Sequence, residues 1–103
     1  RQIKATVVIK KLLPLVNQLK KLAKEIILFG SASRGEQTFA SDIDLFILTH
    51  QPEEIKKEIA GYKRKMLLKP VILTPNQWSE LEVKEPEFYR EVKRGIKLLW
   101  FYD

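Results

Sequence analysis

At 103 residues, with 45% apolar and 31% charged side chains, the sequence has the size and balance of one globular domain, spanning residues 1–103, and not of a disordered tail. It contains no cysteine, which excludes a disulfide framework and a thiolate metal site, and its formal net charge of +6 favours anionic partners. No apolar run approaches the roughly 20 residues of a membrane span. The first residues lack a signal-peptide h-region, so the expectation is a cytoplasmic protein with no membrane partner. The chain opens on Arg1 rather than Met, which leaves its natural start open.

The charge is unevenly placed. Arg1, Lys4, Lys10, Lys11, Lys20, Lys21 and Lys24 stand in the first 24 residues with no acid among them, and Lys63, Arg64, Lys65 and Lys69 form a second cluster. Few aromatic residues interleave with these, which favours a solvated lysine face over a nucleic-acid surface. Nucleic-acid binding through the basic N-terminal region is the weaker alternative, and a steep loss of affinity with added salt would mark it.

Along the chain, Leu12, Leu13, Leu15, Val16, Leu19, Leu22 and Ala23 recur at helical spacing. Pro14 suits a first helical turn, so the pattern predicts a helix over about 14–24. The β-branched run Thr6, Val7, Val8 and Ile9 argues against helix before it. Residues 25–29 read as a short buried strand ended by Gly30, and 30–35 as a turn in which Ser31 or Ser33 caps a short helix. Residues 42–49 alternate at first and then become apolar, as a central strand does. Pro52, followed by Glu53 and Glu54, opens a helix that Gly61 closes. A strand is read over 71–73, and Pro70 at its entry suggests an edge position or a strand start. Helices follow over about 76–83 and 86–94, with Gly95 as the second one's C-cap. The remainder, 96–102, is a mostly apolar tail. The order predicts a small mixed α/β (α+β) domain with helices flanking a sheet of three or four strands.

The chemistry concentrates in residues 25–49. Residues i and i+2 of a strand share a face, so Asp42 and Asp44 project together while Ile43 and Leu45 face the core. Two carboxylates so placed suit a hard divalent cation whose remaining ligands are substrate phosphates. Gly30 lets backbone approach a phosphate closely, Ser31 and Ser33 offer hydroxyls, and Arg34 offers a planar fork. The pair alone, or the serine-glycine turn alone, is most often an ordinary solvated strand end or loop. Strand, turn, spacer, carboxylate pair and strand in this sequence form a joint pattern that chance explains poorly.

Gly30-Ser31-Ala32-Ser33-Arg34-Gly35, followed by Ser41-Asp42-Ile43-Asp44-Leu45, resembles the signature of the minimal nucleotidyltransferases of the DNA polymerase β superfamily. The resemblance is specific over 28–48 and looser over most of the chain. It implies a nucleotidyltransferase fold, an NTP donor with ATP favoured, and Mg²⁺ (or Mn²⁺) held by carboxylates. Gly30 and Ser31 match the residues that hold the nucleotide's phosphates, and Asp42 and Asp44 match the first two metal-binding, catalytic carboxylates. Arg34 and Ser41 match nucleotide-side positions of the motif. Small members of the family pair, antitoxin-like, with helical HEPN-type proteins, so a protein partner or a second copy is expected, with the terminal Leu98 to Tyr102 as one candidate docking patch. Active members place a third acid on a later strand, in a segment like Val-Asp-Leu-Val-Thr-Pro. Here that segment is Pro70-Val71-Ile72-Leu73-Thr74-Pro75, and Val71 stands where the acid would be. Glu36 could substitute by charge alone. Two functions therefore compete: a nucleotidyltransferase acting on a hydroxyl, and a nucleotide-binding or protein-interaction module with little turnover. His50, the one histidine, reads as a loop residue, and Trp78, Phe88 and Tyr89 read as core rather than as a base-stacking surface.

Overall fold

Two adjacent apolar strands set the architecture. In a computed structural model, which describes residues 1–38, 41–62 and 67–100, these are β1 (Ala23–Phe29) and β2 (Ile43–Thr49). They pair antiparallel, with Phe29 opposite Asp44 and Ile26 opposite Ile47. Outside β2 lies β3 (Leu68–Leu73), parallel to it, and outside β1 lies β4 (Ile96–Trp100), antiparallel, giving the order β3-β2-β1-β4. The parallel pair is joined through α2 (Pro52–Tyr62), the crossover such a connection requires. The remaining helices are α1 (Ala5–Leu19), α3 (Pro75–Lys84) and α4 (Pro86–Lys93).

Alternation along the strands divides the core into two layers. Ile26, Leu28, Ile43, Leu45 and Ile47 face one way and are covered by Val8, Leu12, Leu15 and Leu19 of α1 and Ile55 and Ile59 of α2. Ile27, Phe29, Phe46 and Leu48 face the other way, against Val92 of α4, with Val71, Leu73, Trp78 and Phe88 packed around them. Both faces are covered, which is why β1 and β2 read as continuous apolar runs. Two aromatic residues of the last two helices pack on this second layer, Trp78 at 4.5 Å from Phe46, ring centre to ring centre, and Phe88 edge-on to Phe29 at 5.7 Å, while Tyr89 stacks on the outer side of Trp78 at 4.2 Å. All three are half-buried, packed at the edge of the core and not within it.

Several expectations change. The first helix spans residues 5–19 and runs through Pro14 instead of starting there. The proline deprives the Lys10 carbonyl of its partner, but Lys10 and Pro14 both lie on the exposed face, where water can serve that carbonyl. The apolar stripe Val8, Leu12, Leu15, Val16 and Leu19 holds the helix together across the break. The chain then turns early, and β1 begins at Ala23, taking up residues expected in helix. The apolar tail is a fourth strand, whose Leu98 and Leu99 are half-buried. The edge strand contains Pro70 within it; the outer position tolerates a residue with no N–H. Residues 63–66, with most of the second basic cluster, and Phe101 and Tyr102 lie outside the described residues. His50 is an exposed loop residue, and among the described residues no helix is long and apolar enough to cross a membrane.

Two local devices lock the ends of the sheet. Thr49, fully buried, donates its hydroxyl to the Leu22 carbonyl at 2.6 Å and accepts from the Gln51 N–H at 2.9 Å, tying the end of β2 to the start of β1. At the opposite end Gly95 presses against β1 so closely that a Cβ would collide with the Leu28 carbonyl and the Ile27 side chain. Only glycine permits that approach, and it fixes the end of α4 beside the end of β1.

Leu12 is fully buried at the centre of the first layer. Leu12→Ala should cost about 2–5 kcal/mol, read as a lower urea midpoint with an unchanged slope.

Candidate active site

All the chemistry-bearing segments meet at one end of the sheet. β1 ends there and β2, β3 and β4 begin there, because β1 is antiparallel to β2 and β4 while β3 runs with β2. Gly30 leaves β1 with φ of 70°, a left-handed conformation that favours glycine. Its Cα faces the Asp44 carboxylate so closely that a Cβ would overlap it. The loop and the carboxylate are thus in direct apposition, a relation that the spacing of the sequence only implied.

The loop folds as a 3-10 helix over Gly30–Arg34 and is closed by Gly35, whose φ is 72°. The serines do not cap it as expected; its N-cap is Phe29, without a side-chain bond. Ser33 turns its hydroxyl back onto the Gly30 carbonyl at 2.7 Å, and Ser31 donates to the Gln37 side-chain oxygen at 3.1 Å. Gln37 is 2% exposed. Its amide nitrogen donates to the Ser41 carbonyl at 2.6 Å and the Thr38 carbonyl at 3.3 Å. Ser41 shares a 2.6 Å hydroxyl contact with Thr38 and also accepts from the Thr38 N–H. Gln37 therefore clasps the Gly-Ser loop to the residue just before Asp42. Sequence reasoning missed it, since a glutamine within a polar spacer has no periodicity to single it out.

Asp42 lies just before β2 and is exposed, whereas Asp44 is half-buried within it. Burial pushes the Asp44 carboxyl above its ordinary value. Lys69 and Arg34 pull it back, and Glu91 and Asp42 add to the rise. Arg34 pairs through Nε with Glu36 at 3.1 Å, both side chains about half exposed. Glu36 is thereby occupied as a partner of Arg34 rather than as a third acid at the carboxylate pair. Ser33, Arg34, Glu91 and Arg94 line a cleft of about 520 Å³. Glu91 and Arg94 were not anticipated; they come from α4 and its C-cap, far downstream in the sequence, and only the fold brings them to the loop.

The β2–β3 register settles which β3 side chains share this face. Asp44 is opposite Lys69, and Phe46 is opposite Val71. Val71 packs in the second apolar layer, and the strand Leu68–Leu73 contains no acid. Among the described residues, no group of three or more histidine, aspartate or glutamate side chains could hold a metal ion. Asp42 and Asp44 fit one hard cation whose further ligands are phosphate oxygens. They do not fit a pair of cations bridged by a third carboxylate.

A four-stranded mixed sheet, helices on both faces and a Gly-Ser loop over a carboxylate pair define an α+β fold of the nucleotidyltransferase type. A family model for the nucleotidyltransferase domain matches residues 9–98, which include the loop, both carboxylates and β3. The chain belongs to that family, whose general chemistry is nucleotidyl transfer. No curated protein and no solved structure matches it.

Gly30→Ala should displace Asp44 and carry a left-handed alanine costing about 1–2 kcal/mol, with a matching fall in thermal stability. Asp44 also has a signed pH signature. Its native carboxyl lies above the ordinary 3.8, so the folded state holds the proton more tightly than the unfolded state does. The stability from that proton is full below pH 3.8 and is lost as pH rises through the raised value. In EDTA at pH 7, Asp44→Asn should therefore melt above wild type, and the difference should vanish in acid.

Proposed function

We propose that this protein transfers a nucleoside monophosphate from a Mg²⁺-bound NTP, ATP first among them, to a hydroxyl group. The observation that carries this reading is the apposition of the Gly30 loop to Asp44. A phosphate seated on the loop would lie beside the carboxylates that suit its cation. Arg34, paired with Glu36 through Nε, lines the adjoining cleft with Arg94, so cationic groups stand where a polyphosphate would extend. Gln37 and Ser41 hold the loop and the strand start in fixed relation, which keeps that arrangement ready before substrate arrives.

In the proposed reaction the acceptor hydroxyl gives up its proton to solvent as its oxygen bonds to the α-phosphorus, the bond from that phosphorus to the bridging oxygen breaks, and pyrophosphate leaves. A cation on Asp42 and Asp44, Mg²⁺ or Mn²⁺, would withdraw charge from the phosphate oxygens when bound. Arg34 and Arg94 would offset the charge on the departing pyrophosphate. A protein hydroxyl as acceptor, and an antitoxin-like pairing with a HEPN-type protein, rest on the family resemblance alone.

A second reading is a nucleotide-binding or protein-interaction module with little turnover. Val71 in the second apolar layer favours it, since the acid that would complete a two-cation site is missing.

Incubation with ATP labelled at the α-phosphate, Mg²⁺ and candidate acceptors separates the two. The first reading expects covalent label on the acceptor, reduced roughly 100-fold or more by Asp42→Asn or Asp44→Asn. Mg²⁺-dependent ATP binding by wild type with no transfer to any acceptor would establish the second.

A further inference from the structure

The β3 strand does more than lack an acid: it presents a base in the acid's neighbourhood. Lys69 is directly opposite Asp44 in the parallel ladder, so the two side chains leave the same face of the sheet. Pro70 follows it and restricts the backbone of Lys69 to the extended region. The direction in which its side chain leaves the sheet is thus set by the strand. Lys69 is exposed and forms no ion pair among the described residues, so its four-carbon stem leaves the ammonium able to meet a phosphate beside Asp44. A divalent ion placed between Asp44 and β3 would face that ammonium at close range, and like charges there repel.

We propose that Lys69 takes the electrostatic place of a second cation, so that this site holds a nucleoside triphosphate with one divalent ion, on Asp42 and Asp44, and one fixed ammonium from β3. The inference rests on the nucleotide-site reading and deepens it. The ammonium is a compact point charge suited to phosphate oxygens, and its position needs no third carboxylate. Val71 then has no ion to bind and is free to pack against Phe46, as it does.

The test titrates full-length protein with the non-hydrolysable analogue α,β-methylene-ATP and Mn²⁺, counting ions by electron paramagnetic resonance and measuring affinity by calorimetry. Wild type is expected to bind one Mn²⁺ per nucleotide. Lys69→Ala, at an exposed position where folding is not at stake, should still bind one ion but hold the analogue roughly tenfold or more weakly. Lys69→Arg should recover most of that loss. Two Mn²⁺ per nucleotide in wild type, or an unchanged affinity in Lys69→Ala, overturns the inference while leaving the nucleotide site standing. Wild type that binds no analogue at any Mn²⁺ concentration overturns the nucleotide-site reading itself, and this inference with it.

Discussion

The close approach of Gly30 to the Asp44 carboxylate is the constraint on which the rest of the site depends. It requires a left-handed backbone, the absence of a Cβ, and a register that places Phe29 opposite Asp44. Shifting that register by one residue would turn Asp44 into the α1–α2 layer and bring Ile43 or Leu45 to the loop. That slip is disfavoured because it would bury the Asp44 carboxylate, unpaired, among the apolar side chains of that layer. The core therefore does more than stabilise the fold. It fixes where a carboxylate and a phosphate-sized loop meet.

Other elements sharpen that meeting. Gln37 joins the loop to the strand start by buried hydrogen bonds, and none of the described buried side-chain polar atoms lacks a partner. Satisfied buried networks of this kind specify one arrangement, since a half-made one is costly. Gly95 brings the end of α4 onto β1, and with it Glu91 and Arg94 onto the cleft. The site is thus assembled from one local segment and two distant ones, β3 and α4, that the sheet order delivers to the same edge. The distant segments set the charge that surrounds the carboxylates.

What could be read in the sequence follows the same division. The Gly-Ser loop, the carboxylate pair and the flanking strands are contiguous, and their residue types carry their chemistry, so 25–49 was legible. The helix through Pro14 was not, because the penalty of an internal proline depends on whether the freed carbonyl meets water, which only the helix's orientation decides. The strand at residues 96–100 was not, since an apolar run of that length fits a buried strand, a packed tail or a docking patch alike. Lys69 read as part of a basic cluster, and its value lies in a register that no local pattern encodes. Glu91 and Arg94 carried no local signal for the same reason. Val71 was legible as a departure, and the structure supplies its physical setting: an apolar neighbour of Phe46, not a ligand.

The central claim is that nucleotide binds where the Gly30 loop meets Asp44. Backbone amide shifts of isotopically labelled protein, followed by NMR during titration with Mg²⁺ and a non-hydrolysable ATP analogue, test it most directly. The account predicts saturable changes centred on residues 30–35 and 42–44 and extending to Lys69 and Arg94, with the changes lost in Asp44→Asn. Changes confined to the basic residues before Lys24, or a wild-type pattern retained in Asp44→Asn, would contradict it.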